Sequence, residues 1–183
     1  MDYNKITIVI NTFKSGDIIE NCLDSINPAI KVINIENSNN INFKKKLENK
    51  YSNVECFLVG ENLGYAKGNN LGLSKVKSEF ALILNPDTKL EKNTVDNFLD
   101  VTNKITDFAI VGPAKQNEFT STDDNLEKEN IFQVDSLKGF AMFLNLKEFK
   151  EIGYFDENFF IYLEEIDLCK RVKEKRKNIY LVK

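Results

Sequence analysis

Glu164, Glu165 and Asp167 close the run Gly153-Tyr154-Phe155-Asp156-Glu157-Asn158-Phe159-Phe160-Ile161-Tyr162-Leu163, so three acids follow a series of aromatic rings at what reads as the start of a helix. Acids in a first turn suit the helix dipole, and capping alone would explain them. The aromatic wall adds a chemical reading, because a carboxylate partly shielded from water favours its protonated form and suits base catalysis. Another acid, Asp87, follows Leu82-Ile83-Leu84-Asn85-Pro86, just past an apolar strand and with a proline fixing the chain direction. Turn chemistry is the plain explanation of Asn-Pro-Asp. A hard divalent cation held by one or two carboxylates and substrate phosphates would need such a group in that place. The third segment is Asn62-Leu63-Gly64-Tyr65-Ala66-Lys67-Gly68-Asn69-Asn70-Leu71-Gly72. Its glycines allow close backbone approach at a helix N-terminus, where free N–H groups can meet an anion. The spacing is neither G-x-G-x-x-G nor a P-loop, and a turn with close helix packing accounts for the glycines equally well. Asn69 and Asn70 are poor helix formers and point to a polar task. A fourth segment, Gly139-Phe140-Ala141-Met142-Phe143, reads as a core strand.

What the chain lacks narrows the chemistry. There is no histidine among its 183 residues, which excludes Ser/His/Asp and Cys/His nucleophiles and any His-ligated zinc or haem. Acid–base work falls to carboxylates, lysines or tyrosines. Cys22, Cys56 and Cys169 lie far apart with no C-x-x-C spacing, the pattern of isolated buried thiols in a reducing compartment. With 25 Lys plus Arg against 28 Asp plus Glu the net charge is −3, and no nucleic-acid partner is expected. From Lys170 to Lys183, however, seven basic residues stand against the single Glu174. Two readings stand: a solvated helix face near a C-terminus, or a basic patch drawn to anionic lipid headgroups or diphosphates. Met1-Asp2-Tyr3 leads into a strand-like run without a basic or long apolar leader, and the apolar stretches are strand-sized.

The elements that must position these groups follow from periodicity. Ile6–Ile10 is an uncharged strand suited to burial on both faces, as in parallel sheets under helices. Ile18, Ile19, Cys22, Leu23 and Ile26 recur at helical spacing and stop at Asn27-Pro28; Val32–Ile35 is a strand, Phe43–Lys50 a short helix and Val54–Val59 a strand. Helix over Tyr65–Val76, strand over Phe80–Leu84, helix around Thr94–Asn103 and strand over Phe108–Val111 continue the alternation. Ala114–Asn130 is polar without period and reads as a long surface loop. Regular structure returns at Gln133–Leu144 and in a last helix from Leu163 to Lys175. The expectation is one domain of the α/β class, with ligands beyond the carboxyl ends of the strands.

In order and wording the four segments resemble the family 2 glycosyltransferases of bacterial polysaccharide synthesis, in particular the rhamnosyltransferase-like branch. That branch shows N-x-G-(F/Y)-A-x-G-N-N-x-G, then L-N-P-D, then G-x-x-(M/L), then F-D-E-x-F-F-x-Y-x-E-D-x-D-L. The likeness runs from Ile6 to about Arg171. It implies a GT-A fold, a Rossmann-like mixed sheet flanked by helices, and transfer of a sugar with inversion from a nucleoside diphosphate sugar to a hydroxyl of a glycan or lipid-linked acceptor. It implies that Thr12 and Glu36 line the nucleoside pocket, Glu36 standing where the family has Asp. Asn62, Gly64, Lys67, Asn70 and Asn85 would border the nucleotide. Asp87 would hold Mg²⁺ or Mn²⁺ as the last acid of a D-x-D that here reads Asn85-Pro86-Asp87, and Glu165 would be the base in the place of the family's Asp. The family continues past Asn178-Ile179-Tyr180 into a strand and a His-containing segment, so the 183 residues are expected to form a single domain lacking that C-terminal segment. The expected location is the cytoplasm, with peripheral contact at the inner face of the membrane. Two other classes fit parts of the pattern: a sugar-nucleotide-binding module without transfer, and a glycoside hydrolase, which also uses two carboxylates. A hydrolase needs neither the Asn/Gly-rich segment nor Asp87 at a strand end.

Overall fold

Ile6–Thr12, strand β1, alternates aliphatic side chains without charge, and all of it but Asn11 is buried. The computed structural model describes residues 1–114 and 130–183. In it β1 is flanked in parallel by β2 (Lys31–Glu36) and β4 (Phe80–Leu84), with β3 (Val54–Leu58) beyond β2. β5 (Phe108–Pro113), β6 (Ile131–Val134), β7 (Ala141–Asn145) and β8 (Asn178–Val182) complete the order β3-β2-β1-β4-β7-β5-β8-β6. β7 runs antiparallel to both β4 and β5, and β6 antiparallel to β8, so the sheet is mixed.

Side-chain alternation divides the core. Ile6, Ile8, Ile10, Leu82, Leu84 and Phe143 face one layer, under α1 (Ile18–Asp24), α2 (Ile41–Lys50) and α4 (Thr94–Lys104). Val9, Ala81, Ile83, Met142 and Leu144 face the other, under α3 (Gly64–Leu73), α5 (Phe149–Ile152) and α6 (Glu164–Glu174). The α/β expectation with helices on both faces is met.

Several boundaries differ for local reasons. α1 and α3 stop at Asp24 and Leu73 because the following N–H groups of Ile26 and Val76 turn to carbonyls three residues back, at 3.1 Å each. The regular stretch expected over Gln133–Leu144 is two strands serving different places: β6 pairs with β8 at the sheet edge and β7 lies at its centre. Asn178–Val182, to which no element was assigned from periodicity, forms β8, buried between β5 and β6. The loop expected over Ala114–Asn130 lies, apart from its ends, outside the described residues. The three thiols are free and buried, as expected. Among the described residues no helix is long and apolar enough to cross a membrane.

Candidate functional site

In-register pairing aligns the carboxyl ends of the central strands: Thr12 sits opposite Glu36, and Ile10 lies between Asn34 on β2 and Leu84 on β4. Glu36 is 1% exposed. Its Oε1 accepts from the Ser38 backbone N–H at 3.0 Å and from the Ser38 hydroxyl, and its Oε2 accepts from Asn40 N–H at 2.7 Å. Asn40 in turn caps α2 by accepting from Asn42 and Phe43 N–H groups. Beside this turn lies a cleft of about 490 Å³, lined among others by Lys14, Gly16, Glu36, Ser38 and Phe43. The Thr12 hydroxyl is committed to the Ile35 carbonyl at 3.1 Å and to Asn34. Thr12 therefore locks β1 to β2 at the cleft instead of presenting a free hydroxyl.

A pair of asparagines carries this frame to α3. Asn37 donates to the side-chain oxygen of Asn11 and accepts from Leu63 N–H at 3.3 Å. Asn11 donates to the Gly64 carbonyl at 2.9 Å. Asn62 accepts from Gly64 N–H at 3.0 Å. Gly64 has φ +76°, and a Cβ there would lie 2.8 Å from Phe160 Cδ2 and closer to the Phe160 carbonyl oxygen. Only glycine fits both the left-handed backbone and this approach. The next residue, Tyr65, donates its N–H to that carbonyl at 2.7 Å.

Asp87 and Glu165 are joined through one short strap. Asn85 N–H donates to the Phe140 carbonyl at 2.9 Å, and Thr88 N–H closes the Asn-Pro-Asp turn on Asn85 at 3.1 Å, leaving Asp87 exposed. Behind the turn the Cys22 thiol, pushed up to about 12 by burial and then by the Asp87 charge, donates to the Asn85 carbonyl at 3.7 Å. The preceding residue of the strap, Gly139, accepts from the Tyr65 hydroxyl at 2.6 Å. A Cβ on Gly139 would lie 3.5 Å from Glu165 Cβ, so the strap passes directly over the base candidate.

The neighbouring acids differ. Glu164 is 5% exposed, and its Oε2 has no hydrogen-bond partner among the described residues. Burial, opposed by its own backbone N–H and reinforced by Glu165, raises its pKa above the ordinary carboxylate range. Glu165 is only half-buried. Burial, and after it the charges of Glu164 and Glu165, hold the Tyr65 phenol protonated well above its usual range. Asp167 is bound to Arg171 Nε at 2.8 Å, and Arg171 also donates to the carbonyls of Ile152 and Tyr154. Glu165 is thus the half-exposed acid of the first turn without an ion pair among the described residues. The aromatic wall expected around these acids is divided. Phe155 packs in the core with Tyr65 (centroids 5.8 Å apart), whereas Phe160 and Tyr162 point into solvent.

Among the described residues no three His, Cys, Asp or Glu side chains gather as a metal cluster. Asp87 is an exposed carboxylate at a strand end, with no second acid gathered beside it as part of such a cluster. That suits Mg²⁺ or Mn²⁺ taking its other ligands from a diphosphate and water. Lys67 is exposed on α3. Asn70 is occupied elsewhere: it donates to the Phe155 carbonyl at 2.9 Å and to Glu157 at 3.1 Å, and accepts from Phe155 N–H at 3.0 Å. Its polar task is to fasten the segment that leads to Glu165. Asn11, Asn37, Tyr65 and the Gly139-Phe140 strap were not singled out as site residues from sequence. The signal available was an asparagine beside each of two strand ends.

Comparison with known proteins places this geometry in a group. Residues 7–169 match the sequence family described as Glycosyl transferase family 2. The chain is 26% identical, over 95% of its length and 63% of the relative's, to the low-salt glycan biosynthesis hexosyltransferase Agl10 of Haloferax volcanii. It is 21% identical, over 91% of its length and 70% of the relative's, to an N-acetylglucosaminyl-diphospho-decaprenol L-rhamnosyltransferase of Mycobacterium tuberculosis. The mannosyltransferase PcManGT of Pyrobaculum calidifontis, solved with GDP-Man and Mn²⁺, superposes with a TM-score of 0.76 at 12% identity, over 98% of this chain and 54% of that one. The architecture is that of the GT-A glycosyltransferases.

Proposed function

The chain belongs to glycosyl transferase family 2, and from that premise we propose that it moves a sugar from a nucleoside diphosphate sugar to a hydroxyl of a lipid-linked or glycan acceptor, with inversion at the anomeric carbon. The observation that carries this reading is the Gly139-Phe140 strap, which ties the Asp87 turn on one side and lies against Glu165 on the other.

The donor's nucleoside lies along the ends of β1 and β2, in the cleft bordered by Glu36 and Ser38, with Thr12 holding the strand ends together. Its diphosphate extends past Asn62, Gly64 and Lys67 towards Asn85 and Asp87, and Lys67 supplies positive charge to it. Asp87 would hold Mg²⁺ or Mn²⁺, which would supply Lewis acidity for the charge on the leaving diphosphate. Glu165 accepts the proton of the acceptor hydroxyl as that oxygen forms its bond to the sugar carbon and the bond from that carbon to the diphosphate breaks on the opposite face. Glu164, buried and short of a partner, stands behind it. A relative named for a diphospho-decaprenol acceptor supports a lipid-linked acceptor, and the unpaired thiols suit work in the reducing cytoplasm beside the membrane.

The test is a panel of nucleoside diphosphate sugars with Mn²⁺, read first by thermal shift and then by transfer to lipid-linked acceptors. Binding of one donor with release of its nucleoside diphosphate only when acceptor is present is the expected result. Binding without any transfer would leave the chain a sugar-nucleotide-binding module, and no binding at all would remove the reading.

A further inference from the structure

Tyr65, in the first turn of α3, is bonded through each of its polar atoms. Its N–H donates to the Phe160 carbonyl at 2.7 Å, its carbonyl accepts from Asn11 Nδ2 at 3.3 Å and from Asn69 Nδ2 at 3.0 Å, and its hydroxyl donates to the Gly139 carbonyl at 2.6 Å. The ring meets Phe155 edge to face. The backbone bonds and the ring contact would be made equally well by phenylalanine. Only the bond to Gly139 requires the hydroxyl.

The strap held by that bond serves both reacting groups. Gly139 and Phe140 offer consecutive carbonyls to two different elements: the first takes the Tyr65 hydroxyl, and the second takes the Asn85 N–H that begins the turn carrying Asp87. A Cβ on Gly139 would lie 3.5 Å from the Tyr65 hydroxyl oxygen, 3.5 Å from Glu165 Cβ and 3.7 Å from Glu165 Cγ. The hydroxyl, the strap and the stem of Glu165 are therefore packed as one group. Asp167, two residues on, is fixed by Arg171 at 2.8 Å, but Glu165 has no such ion pair among the described residues. What holds the direction of its side chain on this side is the strap.

The phenol is not itself a base. Burial, and then the charges of Glu164 and Glu165, keep it protonated, and its single hydrogen is already given to Gly139. Its part is to hold another group in place.

We propose that Tyr65 is a positioning residue for the transfer: by holding the Gly139 carbonyl, its hydroxyl sets the strap against Glu165 and keeps the base in register with the turn that carries Asp87. This rests on the reading of Glu165 as the base of a sugar transfer. Without the hydroxyl the Gly139 carbonyl loses this donor and the strap is free to shift. A misplacement of about 1 Å at a reacting group can lower a rate by about 10²-fold, and the donor's own contacts are left as they were.

The experiment is steady-state transfer by Tyr65→Phe, which keeps the ring on Phe155 and every backbone bond. Its kcat is expected to fall by roughly tenfold to a hundredfold, while the donor KM and the donor-induced thermal shift with Mn²⁺ stay at their wild-type values. A change that only loosened the fold would instead lower the melting temperature and weaken donor binding together with kcat. The second arm repeats the substitution in Glu165→Gln, where no base is left to position. There Tyr65→Phe should alter the residual transfer rate by less than about twofold. A third readout needs no turnover: hydrogen exchange at the Asn85 amide should quicken in Tyr65→Phe as its acceptor on the strap loosens. Wild-type kcat in Tyr65→Phe overturns the proposal, as does an equal loss in both backgrounds, a fall in donor binding that matches the fall in kcat, or unchanged exchange at Asn85. A wild-type chain that binds no donor or transfers nothing overturns the transferase reading and this role of Tyr65 with it, and that failure is seen before any variant is made.

Discussion

Around the ends of β1 and β2, Asn11, Thr12, Asn34, Glu36 and Asn37 all find hydrogen-bond partners within the chain; around the start of α6, Glu164 buries an oxygen with no partner among the described residues while Phe160–Leu163 face water. The two regions meet at Gly64 and at the Gly139-Phe140 strap. A fully paired polar frame resists rearrangement, which favours holding a ligand in one geometry. A region with an unpaired acid and an uncovered apolar ridge gains most from what binds to it. Under the proposed function the difference separates a prepared donor side from a receiving acceptor side, with Asp87 and Glu165 at the border between them.

The strongest way to break this division is at the base. Glu165→Gln keeps the shape but cannot take a proton, and loss of general base catalysis is expected to lower transfer by roughly 10²–10⁴-fold with the donor-induced thermal shift unchanged. Wild-type turnover in that variant would remove Glu165 from the reaction, and an equal loss in Glu164→Gln would leave the two acids as one unit. Next in size is Asp87→Ala on the prepared side. A ligand present at about 100 times its Kd stabilises the folded chain by about 2.7 kcal/mol, and the cation-dependent part of that gain should vanish in the variant. An unaltered response to Mn²⁺ would place the cation elsewhere.

The prepared side was the more legible in sequence. Parallel strands buried on both faces are uncharged runs, so Ile6–Ile10 and Phe80–Leu84 announced themselves, and a proline after the second marked where Asp87 leaves the sheet. Asn11 and Asn37 were not legible as a pair. Their contact depends on the register of β1 with β2 and on how closely α3 approaches, which no local pattern encodes. β8 was missed because Lys175-Arg176-Lys177 precedes it, and only β5 and β6 on either side make its burial worthwhile. The aromatic segment was read as one wall around the acids. In the structure Asn70 fastens it at Phe155 and Gly64 admits the Phe160 carbonyl, after which the chain turns outward.

That junction gives a third test. Gly64→Ala demands a left-handed backbone of an L-residue and pushes a methyl group against Phe160. Those effects are expected to cost about 2 kcal/mol or more in denaturant unfolding. Because the same contact sets the segment leading to Glu165, transfer should fall further than donor binding does. A variant that loses stability while transfer and binding fall together would show that the junction does not position the base.

The smallest effect concerns Glu164 and is read in pH. Its folded-state pKa is raised by burial, opposed by its own backbone N–H and reinforced by Glu165, while in the unfolded chain it titrates near about 4.3. Between those two values the folded state binds more protons than the unfolded one, so Glu164 withdraws stability progressively as pH rises through that window. Glu164→Gln cannot ionise and keeps the shape of the buried side chain. The variant should therefore gain stability relative to wild type as pH rises from about 4 upward, with the gain levelling off once the wild-type carboxyl has ionised. Denaturant melts of both chains across that range measure it. A difference that stays flat with pH would mean that Glu164 ionises as readily in the fold as out of it, and the receiving side would then hold no reluctant acid behind its base.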